Sequence, residues 1–429
     1  MPRCDGLTDD DQGRAMKTTL FASPTHEAFV CHRKADTVVV TFAERKEPPP
    51  AGFSGEAMLA KSPYAFCCIR SLTNDWYVSG DFAACLDAVA DAIRPYAHVI
   101  LYGFSMGSYG ALISAAALDA DRLVLMAPVA NIHPDKDRRW IADYQGLIRG
   151  RSAADLAPQI PAKTRVICIY DPKGPDRGHV ADLKAACPVQ DILTPRAGHM
   201  VFRFLNNGGI LGSVTRMLFE PQVDIAGVQA LVRSSMRQNS YYIAELARAM
   251  SRHKLLRRLV LRYGLYRFPG DLPLRLDYAG AIAEAGRFDR AAAMIRAVVA
   301  EKPTAAVSVG VIRALAQYAE RGGSPDAVAD LIAPYASDRP RSREIQLLYA
   351  RFLRHTRQFD QAIRAHESFM KGGPFSAQGF FERGLIFEEL GQPVQAEANY
   401  RAALAEAPDF RRAAQQLARL KGHNARDNQ

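Results

Sequence analysis

The chain has 429 residues and a net charge of +10; 48% of its residues are hydrophobic and 23% are charged. These proportions belong to a folded chain of two to three domains and exclude a collagen-like or low-complexity polypeptide. No run of 18 apolar residues offers a membrane-spanning helix, and seven cysteines without paired metal-ligand spacing exclude a zinc module or a secreted disulfide scaffold.

Residues 1–16 carry Asp5, Asp9, Asp10 and Asp11 and no apolar core, so they read as disordered and not as a signal peptide. The expected location is the reducing cytoplasm, with buried thiols. From residue 17 apolar runs take over. Thr37-Val38-Val39-Val40-Thr41-Phe42 reads as a buried strand, and the adjacent Cys67 and Cys68 lie in another. His98-Val99-Ile100-Leu101-Tyr102 is a third, and it runs into Gly103-Phe104-Ser105-Met106-Gly107. Ser108 to Leu118 is then a helix of small residues, with Gly110 for close packing, and Arg122 to Pro128 is the next strand. This order predicts a doubly wound, mostly parallel sheet. Gly103 and Gly107 suit a sharp, strained turn that lifts the Ser105 hydroxyl clear of the sheet, because side chains there would strike the neighbouring strand and helix. The Met106 N–H then points from a helix N-terminus toward a developing oxyanion.

Thr164 to Tyr170 is another buried strand, ending in Asp171-Pro172-Lys173-Gly174-Pro175-Asp176. Asp171 sits at the carboxyl end of the strand, where open sheets place their chemistry. Asp176 stands where the next helix begins and has the simpler reading of an N-cap. Either carboxylate could orient a histidine; Asp171 is preferred and Asp176 stays open. A short strand, Gln190 to Leu193, leads to Gly198-His199 just ahead of an amphipathic helix, which makes His199 the candidate base. His179 falls inside the preceding helix, too early for that role. His26, His32, His98 and His133 show no partner pattern.

Strand, G-x-S-x-G, helix, then an acid and a histidine in that order, resembles the α/β-hydrolase superfamily over residues 17–220. Asn74-Asp75-Trp76-Tyr77 and the stretch from Pro128 to Arg139-Trp140 look like those of a bacterial subgroup. The resemblance implies a serine esterase or acyltransferase with Ser105 as nucleophile, His199 as base and Asp171 or Asp176 as acid. It also implies a second oxyanion donor after the strand at 37–42, at the N–H near Ala43, although the usual His-Gly pair is replaced by Ala43-Glu44-Arg45-Lys46. The interval between the strands at 122–128 and 164–170 is short, so a small lid and an open site are expected.

Residues 221–268 read as a basic helical connector. Between 232 and 267 nine arginines and lysines face one acid, Glu245, beside Leu255, Leu256, Leu259 and Val260. The simpler expectation is a solvated connector that packs its leucines on the helical repeats C-terminal to it. The sharper one is contact with an acidic partner or a membrane surface through residues 233–267. No nucleic-acid motif accompanies the charge, so none is expected as a partner.

From residue 269 to 421 the period is helical and a repeat emerges. One unit runs from Tyr278 to Ile295 and closes at Pro303; others close at Pro340, Pro374 and Pro408, the last three 34 residues apart. Gly322-Gly323-Ser324 accounts for a longer first interval. Small residues at fixed places with a closing proline resemble the tetratricopeptide repeat, which implies a groove for a protein partner or large substrate. Asp409 to Leu420 reads as a capping helix and 422–429 as a disordered tail. Neither a metal cluster nor a phosphate-binding glycine loop is visible, so no cofactor is expected. The reading is a hydrolase acting on an acyl ester, passing the acyl group to water or to a sugar or other alcohol. The rival is a catalytically idle hydrolase fold that serves as a binding scaffold.

Overall fold

Valine, isoleucine and phenylalanine crowd the runs named above, and these branched and aromatic side chains build one eight-stranded sheet. The structure, a computed structural model, describes residues 17–46, 52–139, 146–301, 305–335, 343–371 and 377–427. The disorder expected at 1–16 and the closing residues Pro303, Pro340 and Pro374 lie outside the described residues. Contacts divide the chain into two units, 1–245 and 246–429.

The strands of the first unit are β1 (Lys17–Ala22), β2 (His26–Cys31), β3 (Thr37–Phe42), β4 (Ala65–Ser71), β5 (His98–Phe104), β6 (Arg122–Met126), β7 (Arg165–Tyr170) and β8 (Val189–Leu193). Their order is β1-β2-β4-β3-β5-β6-β7-β8. β2 runs antiparallel to β1 and β4, and every other neighbour is parallel. β1 and β2 were not singled out in the sequence, because two short strands of mixed polarity give little periodicity.

Alternate residues of the buried strands face opposite layers. Val38, Val40 and Leu101 meet helices α2 (Phe82–Ile93), α3 (Met106–Ile113) and α4 (Arg177–Ala186), through Val89, Leu112 and Leu183. Val39, Ile100 and Ile167 meet α5 (Val201–Asn207), α6 (Leu211–Phe219) and α7 (Ile225–Ser235), through Phe204, Leu218 and Val232. The sheet is therefore doubly wound. The helix expected to reach Leu118 stops at Ile113: Ser114 Oγ returns to the Gly110 carbonyl, 2.7 Å away, and the chain continues in turns.

The expected connector at 221–268 is divided between the two units. α7 is part of the sheet domain. Gln229 on it exchanges two hydrogen bonds with the Leu193 backbone, at 2.7 and 3.0 Å, covering the open edge of β8. α8 (Ser240–Ala249) carries Tyr242, which packs in the same core.

The second unit continues with α9 (Lys254–Arg267), α10 (Leu272–Ala283), α11 (Phe288–Glu301) and α12 (Ala305–Glu320). After α12 the described residues up to 335 make short pieces, including α13 (Ala329–Ile332). Pro325 and Pro334 break the helix there. Two helix pairs and a last helix complete the unit: α14 (Arg343–His355) with α15 (Phe359–Lys371), α16 (Ala377–Glu389) with α17 (Pro393–Glu406), then α18 (Arg411–Asp427). α18 is longer than the expected cap and takes in most of the expected tail. Among the described residues no helix is long and apolar enough to cross a membrane.

Candidate active site

Ser105 stands between β5 and α3 with φ 53° and ψ −119°, a region a side-chain-bearing residue rarely occupies. The two glycines explain how it is held. A Cβ at Gly103 would lie 2.1 Å from the Gly107 carbonyl oxygen, and one at Gly107 would lie 2.2 Å from that of Phe42. The turn can close against both the helix and β3 only because those atoms are missing. Ser105 N–H donates to the Met126 carbonyl of β6 at 3.0 Å, and Ser108 Oγ donates to the Ser105 carbonyl at 2.6 Å.

His199 reaches the serine from the loop after β8. Its Nε2 lies 2.7 Å from Ser105 Oγ, and its Nδ1 lies 2.9 and 3.0 Å from the two oxygens of Asp176. Ser105 and Asp176 are buried, and the His199 side chain keeps a small exposed edge. The preference for Asp171 is thus corrected. Asp171 is turned to the backbone: its oxygens accept from Lys173 N at 3.0 Å and from Gly198 N at 2.9 Å. It fixes the loop that carries the histidine without touching the ring. Asp176 does occupy the N-cap position of α4, but its carboxylate makes no capping bond.

Asp176 has a second partner that the sequence did not disclose. Arg139 Nη1 donates to Asp176 Oδ1 at 2.8 Å and the same guanidinium grips Asp137, with Nη2 2.7 Å from Oδ2. His179 Nε2 lies 3.0 Å from that Asp137 oxygen. Burial pushes the Asp137 carboxyl up, but the bonds from His179 and Arg139 outweigh it and hold it well below the usual carboxylate range. Ser105, His199, Asp176, Arg139, Asp137 and His179 thus form one chain of polar contacts. Arg139 stood in the stretch singled out after the strand at 122–128, but nothing in the sequence paired it with Asp176, 37 residues away. His179, set aside as a base, stands behind the acid.

The oxyanion side departs from expectation in part. The Met106 N–H is the first of α3, so no carbonyl within the helix lies behind it to receive it. The Ala43 N–H, however, donates to the Ile69 carbonyl at 3.0 Å and is engaged in the sheet. Glu44 comes next. Burial raises its carboxyl, yet bonds from Lys46, Ser54 and its own backbone N–H bring the net shift down.

Asn74-Asp75-Trp76-Tyr77 has a visible task here. Asn74, Trp76 and Tyr77 all take positive φ, at 54, 57 and 59°. Asn74 Nδ2 donates to the Lys46 carbonyl at 2.6 Å, and Tyr77 Oη donates to the Ala43 carbonyl at 2.7 Å. This strained loop clamps residues 43–46 beside the serine. His26, read as partnerless, lies buried beneath it, with Nε2 3.3 Å from Asp75 and Nδ1 3.2 Å from Asp81. Of the lid interval, residues 140–145 fall outside the described residues.

No family model matches the chain, and no curated protein matches it in sequence. Among solved structures it is similar to the capsule O-acetyltransferase of Neisseria meningitidis serogroup A, at 14% identity and a TM-score of 0.34, over 45% of this chain and 90% of that one. It is also similar to an α/β serine hydrolase without a lid from Xanthomonas campestris, at 17% identity and a TM-score of 0.29, over 52% of this chain and 94% of that one. The strand order, the antiparallel β2 and the serine-bearing turn after β5 give the first unit an α/β-hydrolase fold, joined to a helix-rich second unit.

Proposed function

We propose that the first unit is a serine hydrolase or acyltransferase working through Ser105, His199 and Asp176. The observation that carries this reading is the unbroken hydrogen-bond line from Ser105 Oγ through both ring nitrogens of His199 to Asp176. Ser105 Oγ attacks the carbonyl of an acyl ester while His199 Nε2 takes the hydroxyl proton. Asp176 fixes the tautomer that leaves Nε2 free to do so. The tetrahedral oxyanion is met by the Met106 N–H. The intermediate collapses as the ester oxygen leaves with the proton from His199, and the serine keeps the acyl group. Water or an alcohol, deprotonated by the same histidine, then takes the acyl group and frees the serine. We further read the helix pairs of the second unit as tetratricopeptide-like, holding a protein partner or a large substrate, and the chain as cytoplasmic.

A second reading has its own support: the Ala43 N–H, expected as the second oxyanion donor, is already bonded to the Ile69 carbonyl. On that reading the fold is idle and the helical unit does the work. Labelling with a fluorophosphonate probe separates the two. The hydrolase reading expects a wild-type protein that labels and a Ser105→Ala variant that does not. Folded wild-type protein that stays unlabelled points to the scaffold.

A further inference from the structure

The described residues expose nine large hydrophobic side chains, and five of them lie on α9: Leu255, Leu256, Leu259, Tyr263 and Tyr266, between 48 and 84% exposed. At about 100° per residue they share an arc of roughly 100°. The opposite arc is spent on the fold. Arg257, Leu261 and Gly264 are buried, and Arg257 is held by Glu284 at 2.9 Å. α9 is therefore anchored with its apolar face outward, the reverse of a surface helix in a water-soluble domain.

The flanks of that arc are cationic. Lys254, Arg258 and Arg262 line one side and Arg267 the other. None of the four meets a carboxylate among the described residues; Arg267 donates only to the Tyr263 hydroxyl at 3.5 Å. Residues 246–270 contain no Asp or Glu at all. A second copy of this chain laid on the face would bring like charges together along both flanks, which disfavours it.

We propose that α9 docks the second unit on an anionic phospholipid surface. The helix lies in the plane of the interface, with its leucines at the boundary of the acyl chains, its tyrosines at headgroup level and its cations beside the phosphates. Apolar burial and charge act together, and each alone binds weakly. The inference is independent of the hydrolase chemistry of the first unit.

The test is flotation of the whole chain with vesicles of phosphatidylcholine, with and without phosphatidylglycerol. Binding is expected to rise roughly tenfold or more with the anionic lipid and to fall with added salt. Two variants change exposed positions only: Leu255→Ser with Leu259→Ser and Tyr266→Ser, and Arg262→Gln with Arg267→Gln. Both are expected to keep wild-type circular dichroism, and each to cut binding roughly tenfold or more. Absence of lipid-dependent binding by the folded chain overturns the proposal. So does binding that the leucine and tyrosine changes leave untouched, since the cations would then be serving an acidic ligand alone. A dimer in solution that the same changes dissolve overturns it too, by giving the face to a second copy.

Discussion

Asp176 stands at a helix N-cap and does not cap the helix; its carboxylate is divided between His199 and Arg139. Two substitutions separate it from Asp171. Asp176→Asn removes the group that selects the His199 tautomer and is expected to lower kcat roughly 10³- to 10⁴-fold. Asp171→Asn loosens only the backbone bonds at Lys173 and Gly198, and is expected to cost about tenfold or less. Steady-state turnover of a chromogenic ester measures both, and equal losses would return Asp171 to the site. Arg139 poses a different question, because it bridges Asp137 and Asp176, which are both buried. Arg139→Met would take the guanidinium away from both buried carboxylates, leaving Asp137 to His179 and Asp176 to His199. We expect a loss of about 3 kcal/mol in urea unfolding, since breaking a buried pair costs more than the pair contributes.

At the level of the element, the serine turn is a three-body contact among β5, α3 and β3. Gly107→Ala places a Cβ 2.2 Å from the Phe42 carbonyl oxygen, backbone that cannot rotate aside. Either α3 or the end of β3 must shift, and β3 leads directly into residues 43–46. The expected result is a loss of about 1–3 kcal/mol or more, read as a lower melting temperature, together with weaker probe labelling of Ser105. The helix pairs of the second unit are set by their turns. Gly286, Gly322, Arg357 and Gly391 all have positive φ, and each comes 34 to 36 residues after the last. Three are glycine, which takes that conformation freely, and Arg357 bears the strain of it. The turns are the steadiest sign of the repeat; the closing prolines other than Pro408 fall outside the described residues.

On the scale of the molecule, the two units answer acid differently. Burial, then nearby arginines, push His355 down to about 4 and His366 to about 3 from an ordinary 6.5. Both stay neutral in the folded second unit, while the unfolded chain takes up protons below about pH 6.5. Their contribution is complete above that pH and is lost progressively as pH falls toward 4. The first unit holds Asp75 and Asp137 below their usual value by hydrogen bonds that outweigh burial. That contribution is present above about pH 4 and is lost only below it. Acid melting with limited proteolysis of the products is therefore expected to release the second unit first. His366→Leu, at a fully buried position, should flatten that dependence between pH 6.5 and 4. A single transition that takes both units together would refute this order.

Much of the first unit was legible in order and type. Short unbroken apolar runs marked the central strands because both faces of a doubly wound sheet are buried, and Gly103, Ser105 and Gly107 marked the turn because a Cβ at either glycine has no room there. His199 was placed by its position after the last strand. The helical period, with small residues at fixed places and closing prolines, likewise marked the second unit as helical. What the sequence left open depended on contacts between distant residues. It preferred Asp171 to Asp176, five residues apart on one loop, and the contacts reverse that order, since the direction of a carboxylate is set by what packs around it. The bond from Arg139 to Asp176 was invisible for the same reason. Burial of charge is a property of the assembled interior, and no local pattern records it. The outward face of α9 also needed the fold: the sequence shows that Leu255, Leu256 and Leu259 lie beside arginines, but only the burial of Arg257, Leu261 and Gly264 decides which side of the helix faces water.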